Sequence, residues 1–253
     1  MAALSGRHAL ITGGGRGIGR AVAEALSGAG ATVTVLGRQR AALDDAVATR
    51  HAAGLIVADV TDPAAIEAGV KQAADARGPF DILVANAGGA ESAPFSKTDA
   101  AQFQRLFDLN VMGIVHAAHA VLGGMVTRKF GRIVAVASTA GLKGYPYVSA
   151  YCTTKHAVIG LVRSLAAETA KSGVTVNAIC PSYTDTDLVR DSVSAVSKKT
   201  GKPHDEVVAQ YVKDIPIGRL IKPQEVAAAV LYLCSSDAAA VTGTAMTIAG
   251  GEI

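Results

Sequence analysis

Residues Arg7 to Ser27 read RHALITGGGRGIGRAVAEALS. The first part, Arg7 to Thr12, is a short apolar run of the kind that forms a buried strand. Glycines follow at once at positions 13, 14, 15, 17 and 19, and from Ile18 to Ser27 the apolar residues recur at helical spacing. Strand, glycine turn and helix in that order make the opening of a dinucleotide-binding unit. The glycines allow the tight turn, let backbone N–H groups approach a pyrophosphate, and set that anion at a helix N-terminus. Ile18 stands where the last glycine of a G-x-G-x-x-G motif would be, so the pattern present is Thr12-Gly13-x-x-x-Gly17-x-Gly19. A glycine cluster alone suits any tight turn; its place between strand and helix is what points to a nucleotide.

Working outward, a second strand from Ala31 to Leu36 ends in Gly37-Arg38. About twenty residues past the turn an NAD site would offer a carboxylate to the ribose 2′-hydroxyl. Gly37 takes that slot, Arg38 follows it, and Arg16 lies inside the glycine turn. Two guanidinium groups can fork onto a phosphate dianion, which favours NADP(H) over NAD(H). The alternative is that Arg38 only begins a solvated helix running through Arg50.

The alternation continues. A third strand, Gly54 to Ala58, leads to Asp59-Val60, and a helix follows that Thr61 or Asp62 can cap and Pro63 can open. Phe80 to Ala85 is a fourth strand ending in Asn86-Ala87-Gly88-Gly89, and Ala100 to Met125 reads as one long helix with Asn110 in its middle. A fifth strand, Arg132 to Ala137, stops at Ser138; a helix from Ala150 to Thr169 and a sixth strand, Val174 to Cys180, come next. Pro181 to Thr186 then leads into a polar, loosely helical segment, Asp187 to Tyr211, with only a thin apolar stripe. It is expected to be a mobile substrate lid, with Lys198, Lys199 and Lys202 either attracting a phosphate-bearing handle or only keeping the lid soluble. A helix from Pro223 to Cys234 and a strand from Ala245 to Ile248 close the chain. This order predicts an α/β fold: one doubly wound domain over residues 1–253, its parallel sheet covered on both faces, with ligands at the strands' carboxyl ends.

Composition narrows the classes. The chain has 253 residues, half of them apolar, enough for one large core. Lys and Arg number 24 against 21 acids, a dispersed net charge of +3 that speaks against a nucleic-acid surface. Cys152, Cys180 and Cys234 have no metal-ligand spacing and are odd in number, as in a reduced, cytoplasmic protein without a metal site. No charged segment followed by an apolar one opens the chain, so no signal peptide is expected. The uncharged run Leu109 to Thr127 contains Asn110, two histidines and three glycines, and reads as a buried helix rather than a membrane span.

Tyr151 and Lys155 stand four apart in a helical segment and so share a face. An ammonium beside a phenol lowers the phenol pKa from about 10 toward working pH, and a tuned tyrosine can trade protons. Tyr-x-x-x-Lys by itself also arises by chance.

Taken together, Thr12-Gly13-x-x-x-Gly17-x-Gly19, Asp59, Asn86-Ala87-Gly88, Asn110, Ser138 and Tyr151-x-x-x-Lys155 resemble the short-chain dehydrogenase/reductase family, in order and spacing, across essentially the whole chain. The resemblance implies a single Rossmann-type domain with a seven-stranded sheet, usually assembled as a tetramer or dimer; a homotetramer is expected. It implies Tyr151 as general acid/base, Ser138 as hydrogen-bond partner of the substrate oxygen, Lys155 as holder of the nicotinamide ribose, and Asn110 as the residue ordering a relay water. Gly13, Arg16, Gly17, Ile18, Gly19, Arg38, Asp59, Val60, Asn86, Gly88, Tyr151, Lys155, Pro181, Thr184 and Thr186 would line the cofactor, Asp59 near the adenine. One departure is Pro181-Ser182, where the family commonly has Pro-Gly, with Thr184 where Val or Ile is usual.

The implied activity is NADP(H)-dependent hydride transfer between nicotinamide and a carbonyl or secondary alcohol. The pattern is similar to reductases of 3-oxoacyl thioesters, with Arg128, Lys129 and Lys171 either available to a phosphopantetheine carrier or only part of a solvated basic surface. The alternative is a dehydrogenase of a free steroid, sugar or aryl alcohol, which Tyr145, Tyr147 and Tyr183 would suit. A non-catalytic dinucleotide-binding protein is the remote reading, since Asn110, Ser138, Tyr151 and Lys155 are all in place.

Overall fold

Every residue of the first strand, β1 (His8–Thr12), is buried, which is why it reads as an unbroken apolar run rather than an alternating one. The computed structural model describes residues 3–253. In it β1 is followed by α1 (Gly17–Gly28), β2 (Thr32–Gly37), α2 (Arg40–Ala48), β3 (Gly54–Val57), α3 (Pro63–Arg77) and β4 (Ile82–Ala85). Then come α4 (Ala100–Phe107), a π turn (Asp108–Met112), α5 (Gly113–Thr127), β5 (Gly131–Val136), α6 (Ser149–Thr169) and β6 (Val174–Pro181). The chain closes with α7 (Asp187–Thr200), α8 (His204–Val212), α9 (Pro223–Cys234) and β7 (Ala245–Ile248).

The strands form one parallel sheet in the order β3-β2-β1-β4-β5-β6-β7. The chain winds outward in one direction from β1 and in the other from β4, so their carboxyl ends flank the switch point where a doubly wound sheet binds ligands. Side-chain alternation feeds two cores. On one face Leu10, Leu83, Ile133 and Val176 meet Ile114, Val121, Met125, Val158 and Val162. On the other, Ile11, Val35, Val84 and Val134 meet Val22 and Leu26 of α1 and Val226, Val230 and Leu233 of α9. Each fully buried Leu or Ile contributes roughly 1.5–3 kcal/mol.

Helix starts follow local chemistry. The Asp62 side chain accepts the Ala65 N–H and Pro63 occupies the first turn of α3, as the sequence predicts. Two expectations need correction. The expected helix from Ala100 to Met125 is interrupted by the π turn, whose extra residue per turn the apolar period does not reveal. The segment Asp187 to Tyr211 is not loosely helical but two defined helices, broken where Gly201 adopts φ 73 ahead of Pro203. The stretch Ala100–Thr127 is long enough to cross a membrane and contains an 18-residue window of mean hydropathy 1.5. Yet Val111, Ile114, Ala117, Val121 and Met125 within it lie in the core.

Candidate active site

The site begins where β1 and β4 end. Thr12 Oγ1 accepts the N–H groups of Asn86 and Ala87, both at 3.0 Å, and Asn86 Nδ2 donates to the carbonyls of Thr12 and Gly13. Asn86 therefore staples the turn after β4 to the glycine turn. α1 opens at Arg16 with no side-chain cap, leaving its first-turn N–H groups without an intrahelical partner. An uncapped helix start beside glycines and an exposed arginine is a fit for a pyrophosphate. Arg38 is exposed at the end of β2, and its Nη1 lies 3.5 Å from Asp59 Oδ2. Asp59 Oδ1 accepts the backbone and hydroxyl of Thr61, and these bonds together with Arg38 hold its carboxyl below the ordinary range, the Thr61 backbone bond counting most.

Asn110 is fully buried in the π turn. Its Oδ1 accepts from Gly89 N at 2.9 Å, while Nδ2 donates to Gly89 O at 2.9 Å and to Thr154 Oγ1 at 3.1 Å. The strand-end loop after β4 is thus tied to α6, one turn from Tyr151. Gly88 is required here, because a Cβ would meet Asn110 Oδ1 at 2.8 Å and approach Lys155 Nζ at 3.7 Å.

Ser138 follows β5 and its Oγ accepts the Ala140 N–H. From the first two turns of α6, Tyr151 and Lys155 face it across the carboxyl edge of the sheet. The Tyr151 phenol stands above its usual pKa: burial raises it, and the Ser138 hydroxyl works the other way. Lys155 does not supply the lowering that its spacing suggested. Its Nζ donates to Val136 O at 2.9 Å and lies 5.7 Å from the Tyr151 ring centre, and burial pulls its own pKa down to about 8. Desolvation of the phenolate outweighs an ammonium turned toward a carbonyl.

The segment after β6 closes the far wall. Thr184 Oγ1 donates to Ser182 O, Thr186 Oγ1 to Thr184 O, and Thr184 bridges to Ile221. Tyr183 meets Tyr145 edge-on at 6.4 Å and stacks on Tyr211 of α8 at 4.7 Å, so the α7–α8 segment lies against the site. Burial pushes the Tyr183 phenol up to about 12. Arg128, Lys129 and Lys171, by contrast, lie just before β5 and β6 start, at the opposite edge of the sheet, and Arg128 Nη2 donates to Phe80 O at 2.6 Å. Lys202 pairs with Glu206 at 2.8 Å. Sequence reading missed Thr154 and Glu252, whose partners lie far along the chain, and placed Tyr211 only in the apolar stripe of the lid.

A family model described as short chain dehydrogenase matches residues 7–197. The acetoacetyl-CoA reductase of Rhizobium meliloti (strain 1021) is 39% identical over 249 residues, 97% of this chain and 98% of the relative. Oxidoreductase UcpA of Escherichia coli (strain K12) is 37% identical over 258 residues, 100% of this chain and 96% of the relative. Among solved structures, an actinorhodin polyketide ketoreductase with NADPH superposes with a TM-score of 0.93 at 33% identity, covering 100% of this chain and 99% of that one.

Proposed function

From the premise that this chain belongs to the short-chain dehydrogenase family, we propose that it transfers hydride between NADP(H) and a carbonyl or secondary alcohol, with a 3-oxoacyl thioester as its substrate class. The observation that carries the reading is the meeting of Ser138, Tyr151 and Lys155 past the carboxyl end of β5, on the same edge of the sheet as the uncapped start of α1.

A nicotinamide dinucleotide, when bound, supplies or accepts the hydride. The α1 N-terminus would hold its pyrophosphate, and Arg16 and Arg38 would fork onto the 2′-phosphate, Arg38 exchanging Asp59 for the stronger dianion. Ser138 Oγ donates a hydrogen bond to the substrate oxygen, and Tyr151 Oη delivers a proton to it as negative charge develops there. Lys155 would turn from Val136 O toward the ribose and the phenol. Asn110 would order the water that returns the proton to Tyr151. The thioester preference is supported by the acetoacetyl-CoA reductase relative rather than by Arg128, Lys129 and Lys171. The tyrosine wall of Tyr145, Tyr183 and Tyr211 favours a second reading, a free cyclic alcohol or ketone.

Arg38→Ala tests the cofactor. Loss of a forked phosphate contact costs on the order of 1.5–3 kcal/mol, so the Kd for NADPH should rise at least about tenfold with that for NADH nearly unchanged. Wild-type preference for NADH in a fluorescence titration would refute the NADP reading, and turnover of acetoacetyl-CoA against a cyclic ketone separates the two substrate classes.

A further inference from the structure

Glu252 has a side chain only 2% exposed, deep for a carboxylate. The turn that sends it inward is made by Gly250 and Gly251, at φ 59 and 89, and a Cβ on Gly250 would meet Ile217 Cγ1 at 2.5 Å. The Glu252 N–H donates to Ala249 O and fixes the turn. The two carboxylate oxygens face different loops. Oε2 accepts the hydroxyl of Ser182, in the loop after β6. Oε1 accepts the Tyr145 hydroxyl and the Lys143 ammonium, the latter at 3.0 Å, both from the loop between β5 and α6. Tyr145 Oη also lies 2.7 Å from Thr139 Oγ1, next to Ser138. Ser182, the departure from Pro-Gly, is thus the residue that lets this carboxylate grip the loop after β6.

We propose that Glu252 is a positioning residue: its carboxylate couples the loop carrying Ser182 and Thr184 to the loop carrying Ser138 and Tyr145, and so sets the crevice in which the substrate carbonyl is held. The proposal rests on the oxidoreductase reading for the identity of that crevice. Burial alone would raise the Glu252 pKa, but the bonds from Ser182, Tyr145 and Lys143 bring it below the ordinary value, so the carboxylate is charged at neutral pH. Charge-assisted bonds of this kind are about twice as strong as neutral ones, and two loops held by one group move together.

The experiment combines amide hydrogen exchange with steady-state kinetics on acetoacetyl-CoA for Glu252→Ala, Glu252→Gln and Ser182→Gly. Glu252→Ala should lose protection in residues 139–147 and 181–186 together and raise KM at least about tenfold, with smaller changes in kcat and in the NADPH Kd, since Arg16, Arg38 and the glycine turn lie outside both loops. Glu252→Gln, which keeps an acceptor and the side-chain shape, should recover much of both. Unchanged protection, or lost protection with unchanged KM, overturns the proposal, as does an equal fall in kcat, KM performance and NADPH affinity, which marks general damage. Should Glu252→Ala fail to fold, Ser182→Gly decides: looser 181–186 with higher KM upholds the coupling, and no change in either overturns it. A wild-type protein that reduces no carbonyl refutes the proposed function instead, and the exchange arm still reads the coupling by itself.

Discussion

Burial acts in opposite senses on the two titrating groups of the site, raising the Tyr151 phenol and lowering the Lys155 ammonium to about 8. Both shifts favour neutral forms, and a neutral phenol carries the proton that a reduced carbonyl oxygen needs. Tyr151→Phe removes that proton and little else. Turnover should fall by at least about a thousandfold, roughly 4 kcal/mol in barrier, while NADPH binding survives; a variant keeping more than about a tenth of the rate would exclude the tyrosine from proton transfer. That Tyr151 and Lys155 share a helix face and that Ser138 ends a strand was legible from residue type and spacing, their proposed roles only through the family resemblance. The direction of the Tyr151 shift was not, because it depends on how deeply the phenol is buried and on Lys155 turning to the Val136 carbonyl.

At the scale of elements, the α7–α8 pair joins the site to the surface through the Tyr211–Tyr183 stack. Within these two helices only Val193 and Val207 are buried, so little apolar burial opposes their opening. Hydrogen exchange should therefore find residues 187–212 less protected than β4 and β5, and NADPH with a substrate analogue should slow their exchange. Protection equal to that of the sheet without ligand would show that this segment is not a lid. Its polar composition was readable along the chain, whereas its two-helix form depends on the break at Gly201 and on packing against Tyr183. The π turn was hidden for a similar reason. Asn110 is held by Gly89 and Thr154, neither of which is near it in sequence.

At the scale of the molecule, one sheet supports both cores, so a cavity at its centre should be felt everywhere. Leu83, fully buried in β4, is such a point. Leu83→Ala should cost about 2–5 kcal/mol, seen as a lower urea midpoint with an unchanged slope; two separate transitions would contradict a single domain over the chain. Periodicity, turn chemistry and short spacing, all of them local, were enough for the alternation of strands and helices, the glycine turn from Thr12 to Gly19, the Asp62-Pro63 helix start and the shared helix face of Tyr151 and Lys155. The roles proposed for Ser138, Tyr151 and Lys155 came through the family resemblance. The place of β1 between β2 and β4, the position of residues 128, 129 and 171 at the opposite edge from the candidate site, and the bridge that Glu252 makes between two loops came from the folded chain alone. Those depend on strand pairing and on hydrogen bonds between residues far apart in the chain, such as Ser182 and Glu252, and linear spacing carries no record of such contacts.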